Sequence, residues 1–172
     1  MLAEARRKLP EADLRRGVAE HLPLEDTSFD AVWMSLVVHL LDRPRAFGEA
    51  RRVLVGDGRL VVVTPDHDSF RRAWMAPLFP SYVTVEQARF PSRGDLEHEL
   101  RGAGFARVSM TCVPIERRFS REHALERIRG RYASTFDHLS DEEYREGLAR
   151  AERELPDPVE YLLELLVVVA ST

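Results

Sequence analysis

LVVVT, at Leu60–Thr64, is the stretch of the sequence that decides the fold. Four consecutive apolar residues followed by Thr64 and Pro65 predict a short strand that is apolar on both faces. Such strands are typical of parallel sheets packed between helices, so we expect both faces of this strand to be covered. FDAVWM, at Phe29–Met34, predicts a second buried strand by its apolar content and short length.

Helical patterns alternate with these strands. Asp42 is a candidate N-cap for a helix through Leu54, which the GDG at Gly56–Gly58 ends. The other predicted elements are a helix over Met1–Leu9, a short strand over Leu14–Ala19, a helix from Ser92 to Gly104, an edge strand over Val108–Cys112, helices that begin near Ser120 and Ser140, and a final strand over Tyr161–Ala170. This order predicts an α/β fold with a mostly parallel sheet, in which ligands bind beyond the carboxyl ends of the strands. Ser35–His39 directly follows a strand, so we expect it on the rim of the binding crevice.

The composition is that of a soluble globular protein. Hydrophobic residues make up 44% and charged residues 31% of the 172 residues, which excludes a disordered chain and suffices for one domain. The net charge of −4 disfavours nucleic-acid binding, which needs a concentrated basic face. The sequence shows neither a signal-peptide pattern nor an apolar run that could span a bilayer. We therefore expect a cytoplasmic protein with no nucleic-acid or membrane partner.

Two covering segments belong to this single domain, residues 1–172. Residues 69–91 combine large aromatic side chains with prolines and little periodicity, which predicts an irregular lid. Residues 115–158 contain two helical patterns and predict a helical cover.

No metal site is expected. Cys112 is the only cysteine, so neither an internal disulfide nor a cysteine-based zinc site can form. The DHD at Asp66–Asp68 indicates a solvated turn, because three consecutive side chains rarely converge on one ion.

Gly17–Asp66, GVAEHLPLEDTSFDAVWMSLVVHLLDRPRAFGEARRVLVGDGRLVVVTPD, resembles the middle of a class I S-adenosylmethionine-dependent methyltransferase. It is most similar to the small-molecule group that includes the ubiquinone and menaquinone methyltransferases. LRGAGFARV, at Leu100–Val108, resembles a later helix, glycine and strand of the same family. The resemblance implies a Rossmann-like sheet, S-adenosylmethionine as cofactor and a small-molecule acceptor.

Part of the family's sheet has no counterpart in these residues. The resemblance implies a first strand with a glycine-rich cofactor loop and a second strand that ends in an acidic residue, yet no glycine precedes Gly17. We therefore predict a class I sheet that lacks its first strand–helix–strand unit, roughly 30–40 residues. Our interpretation is that the sequence begins at an internal methionine of a methyltransferase; a genuinely shortened homologue is the alternative.

The missing unit would leave one edge of Phe29–Met34 without a hydrogen-bonding partner. An apolar strand edge of this kind invites association with another chain. We therefore predict that the chain alone is marginally stable, oligomeric or aggregation-prone, with at best very weak cofactor binding.

The resemblance also implies which residues contact the cofactor. Val18, Ala19 and Glu20 correspond to the segment that lies along the adenine, and Ser35 and Leu36 correspond to the segment that touches the methionine part. The alternative is that these are loop residues with a purely structural role.

His39 is the only side chain on this rim whose pKa suits proton transfer near neutral pH, so it is a candidate base for the acceptor. The alternative is a histidine that hydrogen-bonds the backbone and shapes the loop. Trp74, Tyr82 and Arg89 in the lid are candidate acceptor-pocket residues, and packing of the lid explains them equally well. Since the sulfonium is already activated, in-line methyl transfer needs mainly alignment and exclusion of water.

Three functions remain open at this point. The first is a small-molecule methyltransferase, and the second is a non-catalytic remnant that binds or oligomerises through its open sheet edge. The third is another Rossmann-type enzyme, although the sequence contains no dinucleotide fingerprint.

Overall fold

The computed structural model describes residues 2–172, and Met1 of the first predicted helix lies outside that range. It contains six α-helices and four strands in the described part of the chain. In chain order these are α1 (Leu2–Lys8), β1 (Phe29–Ser35), α2 (Arg43–Val53), β2 (Leu54–Pro65), α3 (Tyr82–Arg89), α4 (Arg93–Gly102), β3 (Arg107–Phe119), α5 (Arg121–Arg129), α6 (Asp141–Glu154) and β4 (Val159–Ser171). The α/β class predicted from the sequence is confirmed.

The sheet has the strand order β1-β2-β4-β3. Only β1 and β2 are parallel, while β4 runs antiparallel to both β2 and β3. The prediction of a mostly parallel sheet is therefore wrong. The reason lies in the last part of the chain: α5 and α6 separate β3 from β4, and β4 returns between β2 and β3.

One face of the sheet carries the first hydrophobic core. Helices α2 and α4 pack on this face, where Phe47, Leu60 and Leu100 are completely buried. Each helix begins at the predicted cap, since the Asp42 side chain accepts a hydrogen bond from the Arg45 N–H and Ser92 forms a capping box. The predicted face of LVVVT that contains Leu60 is thus covered.

The opposite face of the sheet is only partly covered. Trp33, Val61 and Val169 lie side by side in the strand register, with Trp33 66% exposed and the two valines half-buried. The expectation that both faces would be covered is wrong for this face, because no described helix encloses it. Strand β1 has its predicted position but is mostly exposed, which corrects the prediction that it is buried.

Strand β1 also forms one edge of the sheet. It pairs with β2 alone among the described strands, so its outer backbone groups have no ladder partner there. The predicted open edge at Phe29–Met34 is present in the structure.

A second hydrophobic core joins the lid to the helical cover. Phe79 in the lid and Ile128 of α5 are completely buried in it, and Gly147 of α6 lies directly against the Phe79 ring. The carboxylate of Glu143, in the first turn of α6, accepts a hydrogen bond from the Ser81 N–H just before α3. The predicted irregular lid therefore contains regular structure, namely a 3₁₀ helix at His67–Arg72 and α3.

Three boundaries differ from the prediction. Leu14–Ala19 is not a strand, and only an isolated bridge joins Val18 to His21. Gly56–Gly58 lies inside β2, because the chain passes from α2 directly into that strand. Residues 115–119 extend β3, so the helical cover begins at α5. Within residues 2–172, no helix combines the length and the apolarity needed to cross a membrane.

Candidate cofactor and acceptor site

Ser35 and Leu36 stand at the carboxyl end of β1, and both are exposed. Leu36 has φ of 56°, a left-handed conformation that a leucine rarely adopts. Its N–H donates to the Val63 carbonyl at 2.8 Å, which fixes this conformation against β2. Backbone strain of this kind concentrates at ligand sites. The left-handed conformation of Leu36 is therefore a structural reason, independent of the sequence pattern, to consider the rim a candidate ligand site.

The second predicted cofactor segment is the turn at Val18–Glu20. Val18 is exposed, Ala19 packs against the first core, and the Glu20 carboxylate accepts a hydrogen bond from the Asp42 N–H at 2.9 Å. This bond joins the turn to Asp42, which is the N-cap of α2 and follows the Ser35–His39 rim closely in the chain. The two segments thus belong to one connected part of the surface.

An ion-pair network behind the turn holds this segment on α2. Glu49 accepts from Arg52 and from the Leu22 N–H, and Arg52 also pairs with Asp26. Arg52 first, and then the Leu22 N–H, lower the pKa of Glu49 to about 2. The turn that carries Val18 is therefore anchored by charges that persist at neutral pH.

S-adenosylmethionine is the cofactor that the resemblance implies for this part of the surface. The rim offers an exposed, strained backbone at Leu36 beside an open strand edge, and the turn offers the exposed Val18. Together they fit one wall of a cofactor site, made chiefly of backbone and apolar groups. The described residues contain no glycine-rich loop for an opposing wall.

His39 follows the rim and stacks on Phe90, with ring centroids 4.2 Å apart and an interplanar angle of 22°. Its Nδ1 atom is buried and has no hydrogen-bond partner among residues 2–172, so the alternative of a backbone bond from this atom is not observed. Burial, and then the positive charge of Arg89, lower the pKa of His39. The lowered pKa favours the neutral imidazole in the folded chain.

The lowered pKa of His39 predicts a pH dependence of stability. The unfolded chain takes up the proton near pH 6.5 and the folded chain at a lower pH, so the free energy of unfolding falls as pH decreases below about 6.5. His39→Phe, which preserves the stacking on Phe90, is expected to flatten this slope in urea titrations between pH 5 and 7. His98→Phe, on the exposed face of α4, is the control and should leave the slope unchanged. An unaltered slope in His39→Phe would contradict the assignment.

A cavity of about 160 Å³ lies between the lid and the carboxyl end of β2. Aromatic rings and a few polar groups line it: Pro65, Ser69, Phe70, Ala73, Trp74, Met75, Tyr82, Glu86, Tyr132, Ala133, Thr135, Tyr161, Leu162 and Leu163. Of the three predicted pocket residues, Trp74 and Tyr82 are among these. Arg89 instead donates to the Glu86 carboxylate at 2.8 Å and so positions a cavity residue.

His39 is linked to this cavity through rings. The ring centroid of its stacking partner Phe90 lies 5.0 Å from the ring centroid of Phe70. Phe70 is one of the residues that line the cavity. The rim and the cavity are therefore neighbouring parts of one region at the carboxyl ends of the two parallel strands.

The predicted solvated turn at Asp66–Asp68 is only partly observed, because Asp66 is buried in an ion pair while Asp68 is exposed. Asp66 is buried, and its hydrogen bonds from Arg93 lower the pKa of the carboxyl group. Arg72, a further basic lid residue, pairs with Glu164 of β4. Among residues 2–172, no group of three or more potential ligands is arranged to hold a metal ion.

The sequence analysis missed two polar residues of the cavity. Glu86 stands one helical turn after Tyr82 on α3, and this i, i+4 spacing places both on one face of the helix. That spacing was a usable signal. Thr135, which donates to Glu86 at 2.8 Å, comes from a distant segment and has no local signal.

The comparisons with known proteins agree with this fold. Residues 1–62 match the family described as a methyltransferase domain. A ubiquinone/menaquinone biosynthesis C-methyltransferase of Rhizobium meliloti is 36% identical over 129 residues, which cover 62% of this chain and 50% of that protein. A protein of a Streptomyces fradiae transposon, described as uncharacterized, is 33% identical over 150 residues, which cover 78% of this chain and 41% of that protein. The chain thus spans half or less of the length of these relatives.

Solved structures show the same fold. A putative methyltransferase from an antibiotic biosynthesis pathway of Anabaena variabilis aligns with a TM-score of 0.67 and 19% identity, over 91% of this chain and 72% of that one. This likeness shows a Rossmann-like fold of mixed α/β type. The chain is similar to class I S-adenosylmethionine-dependent methyltransferases, and the match of residues 1–62 to the methyltransferase domain supports the resemblance seen in the sequence.

Proposed function

We propose that this chain contributes to a methyltransferase that moves the methyl group of S-adenosylmethionine to a small-molecule acceptor. The observation that carries the proposal is the cavity at the carboxyl end of β2, beside the strained rim at Leu36, in a chain of this family. A ring-lined cavity of this size suits a small organic acceptor rather than a macromolecule.

The cofactor supplies an activated methyl group, and the chain's own residues supply binding and orientation. The backbone at Ser35 and Leu36 would hold the methionine part, while Val18, Ala19 and Glu20 would flank the adenine. The apolar rings that line the cavity would limit the access of water to the acceptor, and His39 would take a proton from an acidic acceptor. Such a site needs alignment more than charged catalytic groups.

A second candidate function is favoured by the open edge of β1. A second copy could pair with this edge as an antiparallel strand about a two-fold axis at Val32, which would set Trp33 against Ala31 and Asp30 against Met34. No like charges oppose each other in this register. This arrangement supports a homo-oligomer, and it is also the surface that a non-catalytic binding or oligomerisation module would use.

Cofactor binding tests the main proposal. Isothermal titration of the full chain with S-adenosylmethionine should show weak binding that Leu36→Lys reduces at least tenfold. Leu40→Lys is the matched control, because Leu40 is also an exposed leucine and lies on the following turn. Methyl-labelled cofactor with a panel of small acceptors then tests transfer. Binding that survives Leu36→Lys would place the cofactor elsewhere, and no binding at millimolar concentration would favour the non-catalytic module.

A further inference from the structure

We infer that the cavity under the lid binds a single aromatic ring, about the size of benzene, that carries a neutral hydrogen-bond donor such as a phenolic hydroxyl. The binding of such a ring does not depend on the proposed function. The identification of the ring as the methyl acceptor rests on the proposed function. The inference combines the size of the cavity, its unsatisfied polar atoms and its charge balance.

The volume favours a ligand of one ring. The cavity measures about 160 Å³, and engineered apolar cavities of ~150 Å³ bind benzene. The surrounding rings of Phe70, Trp74 and Tyr161 suit a flat apolar partner in offset or edge-to-face contact. We expect a fused two-ring system to fit this space less well than a single ring.

The Glu86 carboxylate, beside the Tyr82 hydroxyl, favours a hydrogen-bond donor on that ring. Glu86 is 5% and Tyr82 6% exposed, and both line the cavity. Arg89 and Thr135 both donate to one carboxylate oxygen, Glu86 Oε1, at 2.8 Å. Among residues 2–172, the other oxygen, Oε2, and the Tyr82 hydroxyl make no hydrogen bond. Since a carboxylate oxygen only accepts, a ligand that satisfies it must donate an O–H or N–H.

The charge balance requires that donor to be neutral. The guanidinium of Arg89 already compensates Glu86 within a mostly buried pair. An ammonium group on the ligand would therefore be a buried charge without a counter-charge, and a phenolate would face the Glu86 carboxylate. The pKa of Tyr82 itself is raised, first by burial and then by Glu86, which shows that this space disfavours a phenolate.

Binding of simple probes tests the inference without the cofactor. The full chain is titrated with phenol, anisole, benzylammonium and 2-naphthol while its methyl NMR spectrum is recorded. Phenol should bind at least tenfold more tightly than anisole or benzylammonium, and 2-naphthol should bind less tightly than phenol. Equal affinities for phenol and anisole, or tighter binding of benzylammonium, would overturn the inference.

Two variants separate the polar contact from the space. In Glu86→Gln, Arg89 and Thr135 hold the amide oxygen, so the amide NH₂ faces the cavity and the preference should reverse towards anisole, an acceptor. Glu126→Gln, on the exposed surface of α5, is the control and should change nothing. Ala133→Leu fills the cavity and should abolish all ring binding while the fold is retained. A preference for phenol that persists in Glu86→Gln, or binding that survives Ala133→Leu, would contradict the proposed site.

The outcomes also distinguish this inference from the proposed function. Phenol binding without transfer of a labelled methyl group to any acceptor would overturn the proposed function alone. Transfer to other acceptors by a chain that does not bind phenol would overturn this inference alone.

Discussion

Replacing Gly147 with alanine is expected to destabilise the protein by about 2 kcal/mol, since overpacking costs about 1–3 kcal/mol and alanine returns up to ~1 kcal/mol within a helix. An added Cβ would stand 2.1 Å from Cε1 of Phe79, far inside contact distance. Phe79 cannot yield easily because it is completely buried and packs edge-on against Phe136. Helix α6 would therefore be forced away from the lid.

Gly48→Ala provides the matched control, because Gly48 lies inside α2 with nothing within 4 Å of the added Cβ. There the same substitution should stabilise the protein by about 0.5–1 kcal/mol through helix propensity alone. Urea unfolding monitored by circular dichroism measures both variants. Changes of the same sign in the two variants would show that Phe79 does not fill the space against α6.

Trp33→Lys is expected to convert an associating chain into a monomer, which halves the apparent mass in light scattering if the associated form is the two-fold dimer. Trp33 is the largest exposed side chain of β1, and Asp30 is the only charged residue of that strand. A lysine on an open strand edge opposes pairing with another chain by its charge.

Val113→Lys is the control for this experiment, because Val113 lies on β3, at the other edge of the sheet. That edge already carries Pro114, Arg117 and Arg118, which are residues that oppose edge-to-edge pairing. The substitution there should leave the apparent mass unchanged. A wild-type chain that is monomeric at all concentrations would contradict association through β1.

Local signals in the sequence predicted much of the fold. The caps at Asp42, Ser92 and Ser120 predicted where α2, α4 and α5 begin, because a side chain that satisfies the first N–H groups acts over three or four residues. The position of β4 between β2 and β3 has no local signal, since it depends on pairing over long sequence separations. The exposure of Trp33 was also missed, because apolar composition predicts a preference for burial and not the presence of a covering element.

The sequence indicated some of the residues that line the cavity but not how their charged groups pair. The density of aromatic residues in the lid indicated Trp74 and Tyr82, and both line the cavity. Arg89 was predicted to meet the acceptor, whereas its guanidinium is engaged by Glu86 and Ser134. Pairings of this kind depend on which charged side chains meet in space, and composition does not determine that. The cofactor contacts of Val18, Ala19, Glu20, Ser35 and Leu36, and the role of His39 as a base, remain predictions.

The separation of the buried side chains into two cores has a kinetic consequence. Strand β4 contributes Leu166 and Val168 to the core under α2 and α4, and Val159 to the core that joins the lid to α5 and α6. Packing within one core does not depend directly on packing within the other. The core that joins the lid to α5 and α6 can therefore open locally at a lower free energy than global unfolding requires. A ring bound under the lid would then dissociate at the rate of this local opening. Its residence time would therefore measure the strength of the contact between Phe79 and α6.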